Sequence, residues 1–379
     1  MLSPFDIAIL LSARRRQIAA RVASDYAAER FSSVERSFNH NQNREDGMNR
    51  RSVLAWLALL MSVPVGTPAV AQTLEKVKVV IPQDSVFVLS WMGARDAGIF
   101  RKHGIDLEVD ARPFAGFLAG LPSKECMVVT YSGIDAIEKM NQGVDWVVIG
   151  GGLTTFQNVF VRKDSPLNTV DDLRGKRFGV WSSGAGAFKA TRAAIIDSTG
   201  VDVVKDTKMV QLAPPALFKL LESGSVDAML NISSFTIRVA SQPEKFRSIF
   251  SPNEYWKKKT GYPIVWTAPL VAWRSWVDEN PARATNFAAA TEESFRWLRQ
   301  PENLDAAVEK YGKLAGVTTP AAIATYRKWL GEKRLFLAHW DQKVVDAEWQ
   351  FLEMARRYGI LDEVPAKEKH ALILENGKS

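Results

Sequence analysis

Four short polar loops hold the side chains best suited to recognising a small molecule: Gln83-Asp84-Ser85, Thr130-Tyr131-Ser132, Ser182-Ser183-Gly184-Ala185 and Asn231-Ile232-Ser233. Each follows an apolar run with strand character, and ligands of open α/β sheets gather beyond the carboxyl ends of strands. The Ser183-Gly184-Ala185 turn presents free backbone N–H groups at a helix start, which attract an anionic group; a plain strand–helix turn is the alternative. Gly184 and Gly186 do not complete a dinucleotide fingerprint, because Lys189 stands where the third glycine would fall. Asp84 is the one charged side chain in these loops, positioned to meet an ammonium or amino group or else to cap the next helix. Trp181, Tyr262 and Trp266 offer either stacking surfaces for a planar ligand or core packing.

Other chemistries lack their parts. The single cysteine, Cys126, excludes an intramolecular disulfide framework and a cysteine-based zinc site, and it precedes an apolar strand where a small buried hydrophobe belongs. His40, His103, His339 and His370 are too far apart to suggest a metal motif. No histidine accompanies a serine or cysteine in the four loops, so a nucleophile there would have no base. Of the net charge of +7, residues 1–71 supply +3 through nine arginines against six acids. The rest is spread thinly, unlike a nucleic-acid footprint. Lys257-Lys258-Lys259 reads as a solvated loop face. No cofactor is expected.

The elements that position these loops follow from periodicity. Val77, Val79 and Ile81 alternate with lysines in a strand stopped at Pro82, and Val88, Trp91 and Met92 fall at helical spacing. Ile105 to Val109 alternates again, and Met127 to Thr130 is a short buried strand. Ser132 with Asp135 predicts a capping box opening a helix to Met140. Trp146 to Ile149 is a strand ending in Gly150-Gly151-Gly152. Further on come strands at Arg177–Trp181, Met209–Leu212 and Val226–Leu230, with helices between them. From Asn280-Pro281 the chain is nearly all helical. The alternation predicts an α/β fold with mostly parallel sheets flanked by helices, and the absence of a linker argues against two independent beads.

The N-terminal region reads differently. Asn49-Arg50-Arg51, the apolar run Val53–Val63 and the ending Ala69-Val70-Ala71 describe a secretory signal at 48–71, cleaved before Gln72. The run is too short for a bilayer, which needs ~20 apolar residues. Residues 1–47 are polar and Arg-rich, as an over-extended or disordered start would be, with translation beginning at Met48. Export places the mature protein in the periplasm.

Several stretches carry a family resemblance. The run from Ser165-Pro166-Leu167 through Val170-Asp171-Asp172-Leu173-Arg174-Gly175-Lys176 to Phe178-Gly179-Val180 resembles the second-lobe opening of periplasmic substrate-binding proteins. The class is the nitrate/sulfonate/taurine and thiamine-precursor group of ABC importers. Gly98 to Val109, Leu221 to Ala228 and Tyr358-Gly359-Ile360-Leu361 resemble further parts of that family in the same order. The resemblance implies a bilobed periplasmic-binding-protein fold of type II. Lobe 1 would comprise 72–160 and 265–379, and lobe 2 161–264, with crossings near Phe160–Arg162 and Pro263–Thr267. It implies a monomer that binds a sulfonate, nitrate-class, pyrimidine or aromatic-acid ligand and delivers it to an ABC permease and its ATPase, with no nucleic acid. The expected ligand-binding residues are Gln83, Asp84, Ser85, Tyr131, Ser132, Ser182, Ser183, Gly184, Ala185, Asn231 and Trp266. The alternatives are a fold-related enzyme, desulfinase-like or pyrimidine-precursor-synthase-like, and a ligand-sensing domain.

Overall fold

A computed structural model describes residues 74–113, 116–118 and 124–374. The signal segment and the residues before it lie outside these. Ten strands form two five-stranded sheets. The first is built from β1 (Glu75–Pro82), β2 (Ile105–Arg112), β3 (Val128–Val129), β4 (Trp146–Leu153) and β10 (Ala268–Trp273), in the order β2-β1-β3-β10-β4. The second holds β5 (Val159–Arg162), β6 (Arg177–Val180), β7 (Lys208–Gln211), β8 (Ala228–Leu230) and β9 (Phe246–Phe250), in the order β7-β6-β8-β5-β9.

Both sheets are mostly parallel, as expected, and each is mixed through one reversed strand, β10 in the first and β5 in the second. β1 pairs in parallel with β2 and β3, and β6 with β7 and β8. β10 runs antiparallel to β3 and β4, and β5 to β8 and β9. The cause lies in the crossovers. β4 runs toward the other lobe and the chain continues straight into β5, with no helix to reverse it before it enters the new sheet. β10 is likewise the first strand after the return. The outward crossing occupies 154–158, a few residues before the expected Phe160–Arg162, which already pair within the second sheet.

The longer helices are α1 (Gly133–Asn141), α2 (Gly186–Thr199), α3 (Pro214–Ser223), α4 (Ser233–Ala240), α5 (Pro252–Thr260), α6 (Pro281–Leu298), α7 (Pro301–Tyr311), α8 (Pro320–Gly331) and α9 (Gln342–Arg357). Their starts follow sequence signals. Asn280 accepts a hydrogen bond from the Arg283 N–H at 3.0 Å, ahead of Pro281 in α6. Thr169 and Asp172 form a reciprocal capping box on the 3₁₀ turn Val170–Leu173. β4 is buried along its whole length and continues through Gly150-Gly151-Gly152, where an end was expected. No helix among the described residues is long and apolar enough to cross a membrane.

The lobes are interlocked. In lobe 2, Val159, Phe178 and Phe188 lie in the cluster that α2 covers, and Phe160, Leu217 and Val239 in the cluster that α3 and α4 cover. Two of these helices also reach lobe 1. Ala190, Ala193 and Ala194 of α2 join the cluster of Trp256, Trp266 and Phe351, while Ile237 of α4 joins that of Tyr326 and Trp329. Small residues on α2 let it approach α1 and α9 closely.

Candidate functional site

The carboxyl ends of β1, β3 and β4 open on one edge of the first sheet, and those of β6, β7 and β8 on one edge of the second. The two edges face each other between the α2 and α4 contacts. Gln157 of the crossing shows this directly: its Oε1 accepts from the Thr267 hydroxyl at 2.9 Å on the return segment, and its Nε2 donates to Ser233 Oγ at 3.4 Å in lobe 2.

The polar lining of this edge is incompletely satisfied. Thr130 Oγ1, Ser132 Oγ, Thr155 Oγ1 and Asn158 Oδ1 are buried without a hydrogen-bond partner among the described residues. Thr130 is 4% exposed, Thr155 0% and Asn158 4%. A buried polar atom left unpaired costs about 1–3 kcal/mol, and these four oxygens lie on adjoining loops. The crossing residues Thr155, Gln157 and Asn158 were not among the expected contacts. Their signal in the sequence is a polar run, Thr154 to Asn158, between two apolar strands.

The capping box expected at Ser132 and Asp135 does not form, since Ser132 makes no side-chain cap on α1. Asp135 turns instead to lobe 2, where its Oδ2 accepts from the Gly186 N–H at 3.0 Å, at the start of α2. Lys189 donates to Asp135 Oδ1 at 3.1 Å and to Glu138 Oε1 at 2.7 Å. Burial alone would lower the Lys189 pKa, but its bonds to Glu138 and Asp135 outweigh this and raise it. A cation flanked by two carboxylates thus ties α1 to α2. A second tie lies one face along α2: Asp197 accepts from Tyr358 at 2.9 Å, from Lys259 at 2.5 Å and from Tyr255. Burial opposes ionisation of Asp197, and these bonds hold its pKa below the usual range regardless. Lys259 is therefore paired, and Lys257, Lys258 and Lys259 are solvent-exposed as expected but on helix α5 rather than a loop.

The expected site residues divide into groups. Ser132 abuts Gly186, where an added Cβ would lie 1.7 Å from Ser132 Oγ. Tyr131 is half-buried against Trp146, and burial followed by the charges of Asp135 and Glu138 raises its pKa to about 12. Asp84 adopts a left-handed backbone with φ 56°. Its N–H donates to the Leu314 carbonyl at 3.0 Å, and its carboxylate lies beside Gly316, next to Ser234 of lobe 2. Burial raises the Asp84 pKa. The buried Tyr326 hydroxyl has no partner, and burial, then the charge of Asp84, raises its pKa too.

Other residues are committed within their own lobes. Gln83 donates to the Ala111 carbonyl at 3.3 Å, and Ser85 Oγ accepts from the Phe87 N–H at 3.3 Å. Ser183 is held by Gln211 Oε1 through both its N–H, at 3.0 Å, and its hydroxyl, at 2.9 Å. Ser182 and Ala185 are half-buried and Gly184 is exposed on the same turn. Asn231 donates to the Pro214 carbonyl at 3.0 Å and accepts from the Ile232 N–H, shaping its loop. Trp266 is fully buried, edge-on to Trp349. Cys126 is 1% exposed, and burial raises its thiol pKa. Among the described residues no cluster of His, Cys, Asp and Glu is arranged to hold a metal.

Solved structures share this architecture. The periplasmic sulfonate-binding protein SsuA from Methylobacillus flagellatus is 18% identical with a TM-score of 0.60, over 79% of this chain and 92% of that one. The periplasmic aliphatic sulphonate-binding protein SsuA from Escherichia coli is 15% identical with a TM-score of 0.62, over 80% and 94%. The desulfurization enzyme DszB is 15% identical with a TM-score of 0.52, over 79% and 96%. At these identities the likeness is one of fold, which is the bilobed fold expected. No curated protein sequence matches the chain. The NMT1/THI5-like family model matches residues 89–303, more than half of the sequence, and the chain belongs to that family.

Proposed function

We propose that this protein is an extracytoplasmic solute-binding protein, one that encloses a small organic ligand between its lobes and presents it to an ABC permease. The observation that carries the reading is the set of unpartnered buried oxygens on Thr130, Ser132, Thr155 and Asn158 at the facing lobe edges. A ligand that pairs with loops of both lobes stabilises the closed arrangement by contacts an open one lacks. The signal at 48–71 adds the route to the periplasm, with Gln72 as the first residue of the mature chain. Binding is favoured over catalysis because Cys126 is buried and no histidine lies on the facing loops.

The test is a thermal-shift screen against sulfonates, nitrate, pyrimidines, amides and aromatic acids, with the hits followed by calorimetry. A saturable one-to-one hit, recovered unchanged after incubation, is the expected result. Conversion of the hit to product would make the protein an enzyme. For localisation, intact mass of the protein exported by a Gram-negative host should begin at Gln72; retention of residues 1–71 in the cytosol would remove the periplasmic assignment.

A further inference from the structure

The start of α2 is where helix N–H groups and the helix dipole would receive the negative end of a ligand. One of those N–H groups is already taken from within. Asp135 of lobe 1 holds the Gly186 N–H, and Ser132 Oγ occupies the space beside it. Lys189 is spent as well, shared between Asp135 and Glu138. Along 83–87, 130–138, 154–158, 181–189, 231–234 and 263–267, Lys189 is the sole basic side chain. With Asp84 ionised, these segments carry three carboxylates, Asp84, Asp135 and Glu138, against Lys189, which is already paired.

The unpartnered groups say what is accepted in its place. Asn158 Oδ1 and the Asp84 carboxylate only accept hydrogen bonds, and the buried Thr130 and Thr155 hydroxyls accept as readily as they donate. These three buried side chains are independent of the acidic group: Asn158 Oδ1 calls for a donor, and the two hydroxyls take a bond in either sense. Resting on the solute-binding reading above, we propose that the cleft takes a neutral or cationic ligand rich in N–H or O–H donors, such as an amide, amine or amidine, and discriminates against sulfonates, nitrate and carboxylates. Asp135 is the residue that sets this preference, by standing where the ligand's anion would otherwise sit.

Benzenesulfonate, benzamide and benzamidine share one ring and differ in charge and donors, so they probe the preference directly. Calorimetry with the full chain should rank benzamidine or benzamide at least about tenfold above benzenesulfonate, a difference of roughly 1.4 kcal/mol. Asp135→Asn combined with Glu138→Gln frees Lys189 and should bring benzenesulfonate level with or above benzamidine. Should that variant fail to fold by circular dichroism, the wild-type ranking decides alone. Preference for the sulfonate, or equal binding of all three, overturns the charge assignment and leaves solute binding intact. Absence of saturable binding by any of the three, together with a blank broad screen, removes both.

Discussion

Ser132 Oγ of lobe 1 fills the space that a side chain at Gly186 of lobe 2 would need, with 1.7 Å between that oxygen and an added Cβ. The next obstacles are Ser132 Cβ at 3.0 Å and the Asp135 carboxyl carbon at 3.2 Å. The lobes therefore meet at a point where one hydroxyl and one absent methyl set their separation.

Gly186→Ala should destabilise the protein by about 1–3 kcal/mol, the usual cost of overpacking. Ser132→Ala in the same chain should recover at least half of it, since the hydroxyl is the nearest obstruction. Urea unfolding of the single and double variants measures both. Equal loss in the two would shift the obstruction to Asp135.

Glu348 on α9 is wholly buried, with Oε1 accepting from the Val265 N–H at 3.2 Å on the return segment and Oε2 unpartnered. Burial raises its pKa well above 4.5, and the bond from Val265 opposes this only in part. The unfolded chain then releases this proton at lower pH than the folded one. Its effect is to erode stability as pH rises above 4.5, until the folded-state pKa is passed. Glu348→Gln keeps an acceptor for Val265 and removes the titration. The variant should match wild type in acid and exceed it near neutrality. Chemical denaturation across that range checks this, and a pH-independent difference would sink it.

The strands were legible because apolar runs such as Val77–Ile81 and Trp146–Ile149 need only local periodicity to declare themselves. β9 was not read, since Phe246–Phe250 is a short edge strand with weak alternation. The one reversed strand in each sheet is not legible, because the direction of a strand after a crossover depends on where the chain enters the other lobe. Asp135 illustrates the limit for the candidate site. Ser132-x-x-Asp135 carries a local capping signature, and the tertiary partners, Gly186 and Lys189, lie 51 and 54 residues away. Asp84 kept the polar setting its loop implied, because strand ends and turns are set locally.

Trp266 packs against Gly133, where an added Cβ would lie 2.1 Å from its ring and 3.0 Å from its Cα. Unlike the Ser132 hydroxyl, neither a buried indole nor a backbone atom rotates away cheaply. Gly133→Ala should therefore cost more stability than Gly186→Ala. Trp181 is half-buried at the end of β6, so ligand-induced fluorescence change should vanish in Trp181→Phe. A change persisting there and traced to Trp266 would contradict a purely structural role for that ring.

Asp84 combines a backbone that few side chains adopt with a carboxylate whose pKa burial raises. Aspartate and asparagine tolerate the left-handed region better than most residues, so Asp84→Asn should keep the turn and its Leu314 contact. If the ionised carboxylate receives a ligand donor, affinity will be steady near neutrality and fall as acidification protonates Asp84. Because the folded pKa is raised, the same group lowers stability above 3.8, so the variant should be no less stable near neutrality. Asp84 is exposed without ligand, so loss of its contact should weaken affinity measurably, by several-fold. Calorimetric titration of the best donor-bearing hit into wild type and Asp84→Asn, at neutral and acidic pH, reads both effects. Equal affinity in the two proteins, with the same pH profile, would place ligand recognition away from Asp84 and leave its left-handed turn as a structural link to the Leu314–Gly316 loop.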